Sequence, residues 1–333
     1  MLRGRLWLGP GVEHDDGALV VDRAGTVVAA GPASAVTAPA GARELAAAWI
    51  GPGLVDAHVH LAFGDPVHIG AAGVVAVRDL GAPPADAMRW RRLEFPRVQV
   101  AGPLLTAPGG YPSRSWGSGG FASFVDDLDQ TERLVKRLAP QVDVVKLALE
   151  PAAGPVPSVA VSAAVVAAAH DAGREVTAHA LTVAMVERAL DAQVDELAHT
   201  PTEPLPPELV DRIATAGVRV VSTLQAFVSG GAGRVVVDNA VALVTAGVAV
   251  RYGTDLGNAG TRPGADPREL RLLAVDVGLG ADGTLAVATE PVRVGQPAGV
   301  VALTGDPRHD PSAWRSPTAV VVGATALLPP TDP

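Results

Sequence analysis

The chain has 333 residues, 48% of them apolar and 18% charged, which provides for a large core and excludes a disordered chain. A net charge of −9 without a basic cluster argues against nucleic acid or an anionic membrane surface as partner. The absence of Cys removes disulfides, a thiolate nucleophile and cysteine metal sites.

The N-terminal run is too short and turns acidic too soon for a secretory leader, and no apolar run reaches the ~20 residues of a membrane span. A cytoplasmic protein with a small-molecule substrate is therefore expected; a homo-oligomer is left open, with a dimer the base-rate form. Residues 1–50 read as short strands broken by turns at Asp22–Gly25 and Gly31-Pro32. The segment from Val292 to the end has the same character, so residues 1–50 and 292–333 are expected to build one small β-sandwich domain.

Residues 51–291 alternate. Strand-like runs occur at LVDAHVHL, VVAVRDL, RVQVAG, VDVVKLAL, REVTAHAL, VDELAHT, VRVVSTLQ and VAVRYGTD. Helical patterns lie between them at Ser118–Ala139, Ser158–Ala172, Thr182–Ala192, Pro207–Ala216 and Val235–Ala246, several closing on an Ala-Gly pair. Eight strands alternating with helices predict an α/β fold, a (β/α)8 TIM-type barrel, as the catalytic domain. No Gly-rich phosphate loop opens any helix, so nucleotide binding has no support.

The polar residues of these strands cluster at their C-terminal ends, where such barrels build active sites. His58 and His60 stand at i, i+2 on the first strand and share a face. Lys146 lies near the end of the fourth, His179 and His199 end the fifth and sixth, and Asp255 ends the eighth. Four imidazoles and a carboxylate around one point make a metal site, with zinc the default ion. Lys146 is one of only two lysines among 26 basic residues and sits in an apolar strand. Burial favours the neutral amine, which can take up CO2 as a carbamate and bridge two cations, something a guanidinium cannot do. A shared carbamate and hydroxide would then make a binuclear centre with a nucleophile at neutral pH.

The segments GPGLVDAHVHL, VVAVRDLGA, DVVKLAL, VTAHAL, ELAHT and GTDLG, in this order, resemble the amidohydrolase superfamily. More narrowly they resemble its imidazolonepropionase-like and prolidase-like branch with a carboxylated lysine. The resemblance implies that His58, His60 and Asp255 bind the more buried ion, that His179 and His199 bind the second, and that carboxylated Lys146 bridges them. Asp255 would shuttle a proton from the bridging hydroxide to the leaving amine. The implied activity is hydrolysis of a C–N bond in an amide, cyclic amide, N-acyl amino acid or dipeptide.

The alternative on the same scaffold is a mononuclear deaminase of a heterocycle. It would need a carboxylate shortly after His179, and none precedes Glu187. A metal-binding sensor without turnover is a third class. Lactone and phosphoester hydrolysis would use the same metals. Tyr111 and Arg114, with Trp116, in the Gly-rich loop after the third strand, together with Gln225, Tyr252 and Asn258, are the candidate substrate contacts. Arg114 could hold a substrate carboxylate, although a solvated loop arginine is an equal reading. The short span from His60 to Lys146 predicts modest loops and a fairly open pocket. His14, His68, His170 and His309 read as structural or surface residues.

Overall fold

Turn-forming glycines and prolines cut the apolar β-branched runs into short strands, and two separate layers result. The computed structural model describes residues 1–258 and 260–328, apart from the side chains of residues 229 and 230. Strands β1 (Leu2–Gly9), β2 (Val12–Val21), β3 (Val27–Pro32) and β4 (Leu45–Pro52) come from one end of the chain. They join β15 (Gly299–Leu303), β16 (Ala319–Val322) and β17 (Thr325–Leu327) in one mixed sheet of order β17-β16-β15-β4-β1-β2-β3. Leu6, Leu19, Ile50, Val300 and Ala302 from both ends of this sheet share a single buried core. Thr26 bridges Pro297 and the Val27 N–H donates to the Gln296 carbonyl at 2.9 Å, so the sheet curls over its own apolar face.

The intervening chain supplies β5 (Leu54–Val59), β6 (Val74–Asp79), β7 (Arg97–Val100), β8 (Leu104–Thr106), β9 (Ala122–Phe124), β10 (Val144–Leu149), β11 (Glu175–Ala180), β12 (Glu196–Leu197), β13 (Arg219–Val221) and β14 (Val250–Arg251). All are paired in parallel, as β5-β6-β7 and β14-β13-β12-β11-β10-β8-β9. Backbone bonds stitch both seams. The Asp143 N–H donates to the Val100 carbonyl, and on the far side Ala57 N–H to Tyr252 and Asp255 N–H to His58, at 2.8, 2.9 and 2.8 Å. The result is the closed (β/α)8 barrel, with all eight anticipated strand segments in place. Helices Val159–Asp171, Pro207–Thr215 and Gly233–Thr245 stop before Gly173, Gly217 and Gly247, whose φ of +67°, +67° and +81° suits glycine as helix terminator. The first long helix runs only over Leu128–Leu138, because β9 and the loop ahead of it occupy residues assigned to that helix on periodicity.

On β10, Val145, Leu147 and Leu149 face the helices while Lys146 lies between them on the opposite face. The two sheets meet through Trp7, Trp49 and Trp314, whose rings pack at 6.0–6.4 Å. Fully buried indoles with this much apolar area are strong anchors. No helix of the described residues is long and apolar enough to cross a membrane.

The lower end of the barrel carries a buried ion network. Arg78 on β6 donates to Glu196 on β12 and, through Nε, to the Ala57 carbonyl at 3.0 Å. Arg219 and Arg251 face the same carboxylate at 3.5 and 3.4 Å, and together with Arg97 these three arginines line a cavity of about 490 Å³. Glu196 is 1% exposed, so its charge depends on these partners rather than on water. Glu196→Gln is therefore expected to lower unfolding free energy in urea by about 3–5 kcal/mol, since it leaves a guanidinium buried and unpaired. An unchanged urea midpoint would show that water already solvates Arg78.

Candidate metal centre

The upper strand ends hold a ring of imidazoles around one carboxylate. His58 and His60 leave β5 at its C-terminal end, and Asp255 follows β14. A register shift between Asp56 and Val59 breaks regular pairing with β6, so Val55 and Ala57 line the lower cavity while His58 and His60 serve the upper end. Buried Asp56 holds this irregularity: its carboxylate accepts from the His58 N–H at 3.1 Å, the Thr254 N–H at 3.0 Å and the Thr254 hydroxyl at 2.6 Å. Burial raises its pKa to about 7, against the effect of those donors. Gly81 is required beside His60, because a Cβ there would lie 3.1 Å from the imidazole and 2.7 Å from Leu104.

Asp255 Oδ1 lies 3.3 Å from His58 Nε2 and 3.4 Å from His60 Nε2. For ligands at roughly 2.0–2.1 Å around a tetrahedral ion, edges of about 3.3–3.4 Å follow from geometry. The ligand atoms of His58, His199 and Asp255 lie within 4.8 Å of one another. His179 Nδ1 faces His199 Nε2 at 3.0 Å, which directs a second pair of nitrogens toward one point. Lys146 is close enough for its charge to act on Asp255, His58, His179 and His199. All six sequence-predicted ligands thus come together, each between 1% and 7% exposed.

The donor chemistry fits cations. Buried His58 Nε2, Asp255 Oδ1 and Lys146 Nζ have no hydrogen-bond partner among the described residues. Burial drives His58 and His199 well below the ordinary imidazole range, so they are neutral and offer lone pairs. Burial also lowers Lys146 to about 7. At Asp255 burial opposes ionisation, while the facing His58, His199 and His60 favour the carboxylate and hold its pKa below the usual range.

Outer partners fix the rings. The Ala198 carbonyl accepts from His58 Nδ1 at 2.8 Å, and the Thr223 hydroxyl bonds His199 Nδ1 at 3.1 Å. Thr223 adopts φ +42° and Asp255 φ +52°, a left-handed conformation that is costly for a β-branched residue and marks a constrained site. Glu150, which sequence reasoning did not select, bonds His179 Nε2 at 3.0 Å, with Nδ1 on the opposite side facing His199. Its only sequence signal is its place just after the lysine strand.

The candidate substrate contacts separate. Tyr111 stacks on His179 with centroids 4.9 Å apart and accepts from Trp116 Nε1 at 3.0 Å. Trp116 itself lies 5.0 Å from His60. This loop thus lays aromatic rings on two of the ligand imidazoles. Arg114 is exposed and folds over Gly109, where an added Cβ would sit 2.5 Å from its Nη2. Gln225 is 9% exposed on the turn after β13, and its backbone N–H donates to Glu269 at 2.6 Å. Tyr252 does not reach the centre: it is fully buried in the layer between barrel and helices, and its hydroxyl accepts from the Asp266 N–H at 2.9 Å. The Asn258 side chain donates to the Asp255 carbonyl at 3.1 Å and shapes the turn. Glu187, the first carboxylate after His179, is exposed on its helix.

Glu269 supports the turn after Thr223, accepting from the Leu224 and Gln225 N–H groups at 3.0 and 2.6 Å. Burial raises its pKa to about 7. The folded protein then keeps a proton that the unfolded chain releases near pH 4.5, so stability falls as pH rises from there to about 7. Relative to Glu269→Gln, the wild type is expected to lose up to about 1.4 kcal/mol per pH unit across that window. Chemical denaturation at several pH values measures the gap, and a gap independent of pH would refute the shift.

No protein-family model and no curated protein matches the sequence. Solved structures do match. An amidohydrolase aligns with TM-score 0.81 and 21% identity over 99% of each chain. A Xaa-Pro dipeptidase with methionine bound in its active site aligns with TM-score 0.82 and 18% identity, over 98% of this chain and 99% of the other. The A. niger ochratoxinase aligns with TM-score 0.82 and 17% identity, over 99% and 95%. Barrel and curled terminal sheet give this chain the fold of those amidohydrolase, dipeptidase and ochratoxinase structures.

Proposed function

We propose that the protein is a metal-dependent hydrolase of C–N bonds in small molecules. The observation that carries this reading is Asp255 Oδ1, buried without a hydrogen-bond partner and 3.3–3.4 Å from two imidazole nitrogens. The kinship in fold with an amidohydrolase and a dipeptidase supports the same chemistry. His58, His60 and Asp255 would hold one ion, and His179 Nδ1 with His199 Nε2 a second. Lys146, carboxylated by CO2, would join them; its buried, unpartnered amine supports that role. Two divalent ions, zinc by donor type, would supply polarisation of the scissile carbonyl and a lowered pKa for water.

The chain's own residues do the rest. Asp255, with Oδ1 toward His58 and His60 and Oδ2 3.8 Å from His199 Nδ1, accepts a proton and returns it to the leaving amine. Ala198, Thr223 and Glu150 fix the ring orientations of His58, His199 and His179. The rings of Tyr111 and Trp116, laid on two of the ligand imidazoles, exclude bulk water there, which strengthens the electrostatics beneath them.

Metal analysis with an amide-hydrolysis assay tests the reading. The wild type should bind two equivalents and lose activity to a chelator. Lys146→Ala should lose more than the roughly 10–100-fold of metal affinity typical of an outer-partner loss, with partial rescue by short carboxylic acids. Full activity in Lys146→Arg would overturn the carbamate, since a guanidinium cannot take up CO2. Glu150→Gln should weaken the second ion by roughly 10–100-fold and leave the first in place; equal loss of both ions would mean that Glu150 does not act through His179.

A further inference from the structure

Aromatic residues are scarce in this chain, and their distribution is uneven. Of five Phe, two Tyr and five Trp, the group Phe63, Tyr111, Trp116, Phe121 and Phe227 gathers at the metal centre. Three of them touch ligand imidazoles: Trp116 on His60 at 5.0 Å, Tyr111 on His179 at 4.9 Å and Phe227 on His199 at 5.2 Å. Phe63 and Phe121 extend the surface outward, each edge-on to Trp116 at 5.8 and 5.3 Å, with their own rings nearly parallel.

This wall is held in shape. Gly257, two residues after Asp255, lies under Phe63, where a Cβ would come within 2.8 Å of the ring. Gly117 makes room chiefly for Pro112, whose ring a Cβ would approach to 2.4 Å, with Phe121 Cβ next at 3.1 Å. Phe63 nevertheless stays 50% exposed, a large apolar ring left open beside a polar centre. Arg114 lies over Gly109, outside this group of rings. A flat aryl group placed here would find ring faces and edges.

We propose that the preferred substrates are amides with a flat aryl group beside the scissile bond, gripped by Phe63, Trp116 and Phe121. This deepens the hydrolase reading and rests on it. One water converts the amide to an acid and an aryl amine: the C–N bond breaks, a C–O bond forms, and one proton passes to nitrogen. Phe63 and Phe121 determine specificity and take no part in proton transfer.

The test compares acetanilide, N-methylacetamide and N-acetylglycine on the metal-loaded protein. The anilide should exceed N-acetylglycine by at least about 100-fold in kcat/KM. Phe63→Ala and Phe121→Ala should each lower kcat/KM for the anilide about 10-fold more than for N-methylacetamide, chiefly through KM, with metal content kept. Preference for N-acetylglycine, or equal losses on both neutral amides, would overturn the aryl wall while leaving hydrolysis intact. If no amide is cleaved, the hydrolase reading fails, and calorimetric binding then decides the wall alone. Acetanilide binding that weakens about 10-fold in Phe63→Ala would uphold it; absence of binding to the wild type would sink it.

Discussion

Backbone hydrogen bonds close the barrel between its last and first strands, and one of them runs from the Asp255 N–H to the His58 carbonyl. The two residues it joins are also the two whose side chains meet at 3.3 Å in the centre. Closure and site assembly are therefore the same event. The Thr254 bonds to Asp56 reinforce the seam one residue away, and Asp56 in turn fixes the irregularity that turns His58 and His60 toward the upper end. Loss of any part of this seam displaces ligands as well as strands.

The barrel interior keeps opposite demands apart. Its lower end surrounds one buried carboxylate with three guanidinium groups. Its upper end leaves an amine, a carboxylate oxygen and an imidazole nitrogen without partners. Buried polar atoms that find nothing among their neighbours are costly, and a fold tolerates them where something else completes the site. The contrast within one barrel separates a structural network from a site built to receive ions.

Much of this was legible in sequence. Strand identity followed from β-branched runs and Ala-Gly stops, and the six candidate ligands stood at strand ends because parallel strands deliver their C-termini to one face. Other features depend on contacts that sequence does not expose. Tyr252 ends a strand as a pocket residue would, yet alternation sends its ring outward, where the Asp266 N–H satisfies its hydroxyl. Glu150 gains its role only because the chain turns at Pro151 and brings the carboxylate back to His179. The packing of Tyr111 and Trp116 on the ligand imidazoles was likewise invisible to sequence, which names the residues of a loop without their contacts. The first long helix was overextended because β9 takes an edge position beside β8 that periodicity alone did not mark.

The curled terminal sheet has a consequence for synthesis. β4 pairs with β1 on one side and with β15 on the other, where Gly51 stands opposite Val301. At ribosomal speeds of roughly 5–20 residues per second, a partner ~250 residues downstream arrives only after some tens of seconds. Throughout that interval the nascent chain carries the outer edge of β4, with Trp49 and Ile50, uncovered. An open apolar strand edge is a template for wrong pairing. The protein's solubility in the cell is thus set by how well that edge is shielded, by chaperones or by early collapse of Trp7 onto Trp49, while the barrel is still being made.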